Sequence, residues 1–318
     1  MFENIQLLAE NPVGLLNLII DGIMIGAVFA LIAYGMALVW GVMNIINLTQ
    51  GEYVIFGGFI AFYTAGEWTV RIDAIGLSLS WPGVHALWAL LLAPAVLYGI
   101  GWVVYRLVIF RIVDRDMFTS ILATFGISIL LQQFMNSVFT ADDVIAQHRM
   151  GTWSAWRTGM GELAIEWVRV IALVFALIVG SFLAFYLKFT RDGQAIRAVA
   201  QNARAARIMG IDANRVYART YALNAALCGA AGVLVSMTLT IHAFTGLIYT
   251  VRAFMIVIIA GLGNVTGVII AGLGLGAAEK VAEFVIGTSY QVAFVTGLLL
   301  VVLLYRSVRL AMQRKYLA

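Results

Sequence analysis

RDGQAIRAVAQNARAARIMGIDANRVYAR, residues 191–219, is the stretch whose reading decides the fold. It is the longest run without membrane-spanning character in a chain that is otherwise mostly apolar. It carries Arg191, Arg197, Arg204, Arg207, Arg215 and Arg219, with Lys188 just upstream, against only Asp192 and Asp212. Apolar residues flank it on both sides for more than a bilayer thickness. A basic segment in that setting is held at one membrane face.

Locally the stretch reads as helix. Asp192-Gly193 can cap its start, Ala and Arg favour the interior, and Gly210 can stop it in a left-handed conformation. Ile196, Val199, Ala203, Ala206 and Met209 recur at three- and four-residue steps and make a narrow apolar stripe. Two readings stay open on residue chemistry alone. One is a positive-inside loop lying on anionic lipid. The other is a helix that docks its stripe into a groove of another protein.

Composition sets the class. The 318 residues are 63% hydrophobic and 11% charged, with a mean hydropathy of +0.97. Soluble domains carry about 25% charged residues, so the chain is a polytopic membrane protein of the all-α class. At about 20 residues per span, its length allows roughly eight to ten transmembrane helices in a single domain covering 1–318. The pI near 9.3 comes from short loops and speaks for membrane orientation, not nucleic-acid binding. Cys228 is the only cysteine, which rules out an internal disulfide and argues against a metal cluster. The first ten residues hold Glu3 and Glu10 but no Lys or Arg, so no cleavable signal is expected.

Residues 14–40 read as a first span, with Asp21 near its start and Gly22, Gly26 and Ala30 as a small-residue face. GVMNIINLTQG, residues 41–51, is polar by membrane standards: Asn44, Asn47, Thr49 and Gln50 cluster there, with Glu52 next. The apolar run 53–65 that follows is too short to cross as a straight helix. A broken or re-entrant helix fits, because irregular backbone at membrane depth survives only when buried in protein or lining water. A charged side chain at mid-bilayer costs about 2.5 to 3.5 kcal/mol, so Glu52 needs a partner or water there. Alternatively it sits at the headgroup level. Residues 66–83 and 141–166 read as loops on one side, the second holding His148, Trp153 and Trp156. GLGNVTGVIIAGLGLG, residues 261–276, resembles a nucleotide loop only superficially, since no strand precedes it. Packing glycines are the better reading. Glu279, Lys280 and Glu283 can pair along the same helix.

Most of the 20 Lys and Arg fall in segments 106–116, 188–219 and 306–315. If these face the cytoplasm, the C-terminus is inside; nine crossings then place the N-terminus outside. No G-x-x-x-x-G-K-[ST] loop is present, so the chain does not bind ATP that way. His85, His148 and His242 are isolated. No catalytic dyad or proton relay stands out, and the chain reads as a conduit energised from elsewhere.

Residues 21–59, 191–212 and 253–279, in that order and spacing, resemble the branched-chain amino acid permeases of ABC importers, the LivH-like subunit. The resemblance covers nearly the whole chain. It implies a type II importer-like bundle with short or broken helices in a bacterial inner membrane. It also implies a second LivM-like permease, two ATPase subunits carrying ATP and Mg, and a periplasmic solute-binding protein docking near 66–84 and 141–166. Membrane lipid surrounds it, and the chain needs no cofactor of its own. Segment 192–212 becomes the coupling element, with Arg197, Asn202, Ala205, Met209 and Gly210 as its candidate surface. Asn44, Asn47, Gln50 and Glu52 are the candidate pathway or gate. Relatives often read Asn-x-Ala-His-Gly-Glu where this chain has Asn47-Leu48-Thr49-Gln50-Gly51-Glu52. If Gln50 faces the pathway, that departure puts an aliphatic substrate in doubt. Urea, amide and aromatic-acid importers share this permease type. A rival of another class is an ion-coupled secondary transporter acting alone.

Overall fold

The computed structural model describes residues 10–72, 77–81, 83, 86–139, 144, 157–160, 163–261 and 264–316. His85, His148, Trp153 and Trp156 lie outside them. The chain folds around α1 (Pro12–Met43). Asn11 caps it by accepting a hydrogen bond from the Gly14 N–H at 2.8 Å, and Pro12 suits the first turn, where its missing N–H costs nothing. From Met24 to Met36 nearly every residue is buried, as expected for a helix apolar on all sides. Its 32 residues make about 48 Å, longer than the hydrocarbon core of about 30 Å.

α1 ends at Asn44, which adopts a left-handed φ of 53°. After a short turn, α2 (Gln50–Ala65) follows. Its 16 residues reach only about 24 Å, which agrees with a short helix that begins at depth. Loop 66–83 contains a hairpin the sequence reading did not anticipate: β1 (Trp68–Ile72) pairs antiparallel with β2 (Leu77–Trp81), Trp68 opposite Trp81.

α3 (Ala89–Val104) continues through a π turn at Tyr105–Ile109 and a last turn at Phe110–Ile112. Asp116 caps α4 (Met117–Val138). A second hairpin, β3 (Arg157–Met160) with β4 (Leu163–Glu166), occupies part of loop 141–166. Then come α5 (Trp167–Phe189), α6 (Arg191–Gln201), α7 (Ala203–Ile208) and α8 (Ala213–Thr238). α9 (Gly246–Ala260), α10 (Val265–Ile286) and α11 (Gln291–Tyr316) complete the chain.

Among the described residues, α1, α3 with its continuation, α4, α5, α8 and α11 are long and apolar enough to cross a membrane, and α9 is a shorter apolar helix. The protein is therefore a multi-pass, all-α membrane bundle with two small hairpins. α8 is buried on almost every side, whereas α3, α4, α5 and α11 present Trp102, Leu130, Phe182 and Leu304 outward. Those faces suit lipid.

The most extensive helix pairing joins α1 to α10. A Cβ on Gly22 would fall 2.6 Å from the Gly276 carbonyl oxygen, and one on Gly26 would fall 2.5 Å from that of Gly272. The rising number pairs with the falling one, so the helices are antiparallel. Hydrophobic driving force is absent between helices in lipid, and small residues let the backbones gain van der Waals contact instead. Gly272 and Gly276 of α10 thus serve packing against α1. Asp21 is not left alone in its span: it forms an ion pair with Arg169 at the start of α5.

Candidate functional site

The basic segment is two helices, not one. Thr190, rather than Asp192-Gly193, caps α6 by accepting a hydrogen bond from the Gly193 N–H at 3.0 Å. Asp192 instead pairs with Arg219 on α8. The helix breaks at Asn202, whose φ of −159° is extended. Its side chain accepts from the Ala205 N–H at 3.0 Å and so starts α7. Asn favours such caps because its amide competes with the helical backbone. Gly210 takes φ 83°, the left-handed stop its sequence position suggests, and Asp212 caps α8 through the N–H groups of Asn214 and Arg215.

This elbow changes which residues face out. Ile196, Val199 and Ala206 are buried as the stripe requires. Met209 leaves the stripe: it and Ile208 are each 81% exposed. Arg197, Asn202, Ala205, Met209 and Gly210 all lie on the exposed side of the segment. Arg197 also reaches back to donate to the Lys188 carbonyl at 3.2 Å.

The polar residues after α1 behave differently. Asn44 is exposed, whereas Asn47, Gln50 and Glu52 are at most 1% exposed. Asn47 Oδ1 accepts from the Thr49 N–H at 3.2 Å and from the Tyr221 hydroxyl at 3.3 Å. Gln50 Nε2 donates to the Ile32 carbonyl of α1 at 2.8 Å. Glu52 Oε1 accepts from Ser128 Oγ at 3.0 Å and Gln132 Nε2 at 2.8 Å, both on α4. Asn47 Nδ2, Gln50 Oε1 and Glu52 Oε2 are buried without a hydrogen-bond partner among the described residues.

Glu52 sits where two helices begin. It is the third residue of α2, and a Cβ on Gly246, the first residue of α9, would fall 2.5 Å from its carboxyl group. The Gly51 N–H donates to Thr250 Oγ1 on α9 at 2.9 Å. Both helix N-termini carry partial positive charge, which favours a carboxylate there. The sequence reading had marked neither Ser128 nor Thr250 and had assigned Gln132 no partner. Each lies far away in the chain, and only Gln132, a polar residue inside an apolar span, offered a signal.

A second constellation lies between α1, α9, α10 and α11. Arg252 donates from Nε to Glu279 Oε1 at 2.9 Å and Oε2 at 3.2 Å, and from Nη2 to the same carboxylate. The guanidinium carbon stands 4.8 Å from the Phe29 ring centre and 5.4 Å from that of Tyr249. Glu279 therefore pairs across to α9, while Lys280 and Glu283 pair along α10 at 2.8 Å. A cavity of about 250 Å³ opens beside these groups. His242 Nδ1 accepts from the Phe244 N–H at 3.2 Å, a role in its turn. Among the described residues no group of three or more His, Cys, Asp or Glu is placed to hold a metal ion.

The profile of the family described as branched-chain amino acid transport system / permease component matches residues 18–304. The chain belongs to this family. The permease is 26% identical over 301 residues to a high-affinity branched-chain amino acid transport system permease protein LivH of Salmonella typhimurium, covering 93% of this chain and 95% of that one. It is 28% identical over 294 residues to BraD of Pseudomonas aeruginosa, covering 92% and 94%. A probable LivH of Methanocaldococcus jannaschii is 24% identical over 286 residues, covering 87% and 84%. No solved structure gives a significant match to the permease. The matched span runs from within α1 into α11, so every constellation above lies within it.

Proposed function

We propose that this permease is the membrane-spanning subunit of an ATP-driven importer that moves a small polar solute, with branched-chain or other amino acids the leading class. The observation that carries the reading is the elbow at Asn202. It thrusts Ile208 and Met209, each 81% exposed, out of a basic segment. An apolar tip ringed by Arg204 and Arg207 gains nothing in water; covering it in a groove of another protein does. An ATPase subunit is the occupant that fits a conduit lacking its own energy source.

In this reading the chain is one permease domain, 1–318, and segment 192–212 couples it to the ATPases. The assembly holds two ATPase subunits with ATP and Mg, a second LivM-like permease, and a periplasmic binding protein that docks near loops 66–84 and 141–166. It resides in a bacterial inner membrane with the C-terminus cytoplasmic, because Arg106, Arg111 and Lys188 share the end that carries the basic segment. ATPase closure moves the α6–α7 elbow, and the paired permeases switch access. Asn47, Gln50 and Glu52 act at the point where α2 and α9 start, tying the two short helices to α1 and α4, while Asn44 ends α1. Gln50 is fully buried and its amide nitrogen donates to the Ile32 carbonyl of α1, which supports keeping amino acids ahead of urea, amides or aromatic acids.

The test is a pull-down of the tagged chain in mild detergent with mass spectrometry and an ATPase assay. Two ATPases and a second permease should co-purify, and Met209→Glu should remove the ATPases while leaving the chain folded. A chain that purifies alone and transports under an ion gradient would make it a secondary transporter instead.

A further inference from the structure

The geometry points to the cavity beside Arg252 and Glu279 as a transient binding site for a free zwitterionic amino acid. The inference rests on the importer reading and names a subsite within this permease. It begins from cost. Arg252 and Glu279 are 6% and 2% exposed, inside a bundle whose charged residues are few. Intramembrane charges are expensive, and where they line a cavity they mark a path for polar solutes.

The walls are charge-balanced. Arg252 and Lys280 supply two cations; Glu279 and Glu283 supply two anions. A solute with net charge would leave one buried charge uncompensated, which such a site resists. A zwitterion adds none. Glu279 occupies Nε and Nη2 of Arg252, and Nη1 has no partner among the described residues, so that edge is available to an α-carboxylate. Guanidinium is suited to this because its fork can serve two carboxylates at once. Glu283, about a quarter exposed and held from one side by Lys280, retains acceptor positions for an α-ammonium.

The remaining wall is apolar. Ile25, Phe29, Leu239, Ile248 and Val292 line it. A cavity of about 250 Å³ has room for a solute the size of leucine, with its side chain against these residues. Two opposite charges and an apolar wall are what an aliphatic amino acid presents in reverse. A sugar or urea brings no charges to match the two ion pairs, and an aromatic acid lacks the cation.

The experiment places a single reporter cysteine at the rim. Thr288 is exposed and lines the cavity mouth. In full-length chain carrying Cys228→Ala and Thr288→Cys, reconstituted in lipid nanodiscs, labelling by a thiosulfonate reagent is timed with and without added amino acids. Millimolar L-leucine should slow labelling at least threefold, while L-lysine, L-glutamate, isovalerate and isoamylamine should not. Glu283→Gln should abolish the protection, measured as the ratio of labelling rates with and without leucine in that variant. Equal protection by isovalerate or isoamylamine would overturn the zwitterion assignment, and no protection by leucine would overturn the site. The second result, in a chain that still co-purifies with ATPases, would sink the cavity proposal and leave the importer reading standing.

Discussion

Gly51 and Gly246 meet with no room for a methyl group: a Cβ on Gly51 would fall 1.7 Å from the Gly246 carbonyl oxygen. That contact brings the first turns of α2 and α9 together and places Glu52 against both. The obstacle is backbone, so no side-chain rotation relieves it. Gly51→Ala is expected to lose more stability than the roughly 1 to 3 kcal/mol typical of overpacking. Gly274→Ala serves as the control, because nothing lies within 4 Å of its Cβ position. Thermal unfolding in detergent, or yield of folded chain, separates the two. Equal behaviour would mean the two helices do not meet this way.

Glu52 is held by Ser128 and Gln132. Glu52→Gln keeps an oxygen for these donors, whereas Glu52→Leu strands both. Stranding a buried donor costs about 1 to 3 kcal/mol. The leucine variant should therefore unfold at lower temperature than the glutamine variant. If the order reverses, the hydrogen bonds from α4 are not what keeps the carboxylate.

The elbow at Asn202 depends on one side chain. Removing an N-cap costs about 1 kcal/mol, so Asn202→Ala should raise hydrogen exchange across 203–208 by about fivefold. α6, capped by Thr190, should be unaffected. An unchanged rate in α7 would show that packing of Ala206 suffices to hold it.

Asp116 gives the pH test. Hydrogen bonds from the Thr119 hydroxyl at 2.6 Å and the Thr119 N–H at 3.2 Å hold its carboxyl below the usual aspartate range. A depressed folded value means the ionised form favours the fold. That contribution is present above the ordinary aspartate value and fades as pH falls through the lowered one. Asp116→Ala should lower the unfolding temperature at neutral pH, and the difference should shrink in acid. A difference that grows in acid would contradict the cap.

The sequence by itself determined the class, the basic segment and the depth problem after α1. Apolar runs of span length, a polar cluster at 41–52 and glycines at helical spacing are local properties, and lipid turns each into a strong constraint. The chain order of three such stretches was enough to suggest the family. Even the left-handed stop at Gly210 is a single-residue preference that needs no tertiary contact.

Only the tertiary structure decided how the polar groups are partnered. Glu52 finds Ser128 and Gln132, and Arg252 crosses to Glu279, because buried charge must be compensated wherever a neighbour brings donors or acceptors. Which neighbour that is depends on how helices distant in the chain pack, and periodicity holds no record of it. The same is true of the α6–α7 break. Ala-rich, Arg-rich sequence favours one continuous helix, but Asn202 has an extended alternative. With Ile196 and Val199 on one side of the break and Ala206 on the other packed inward, Met209 is turned outward, off the stripe that spacing alone had assigned it.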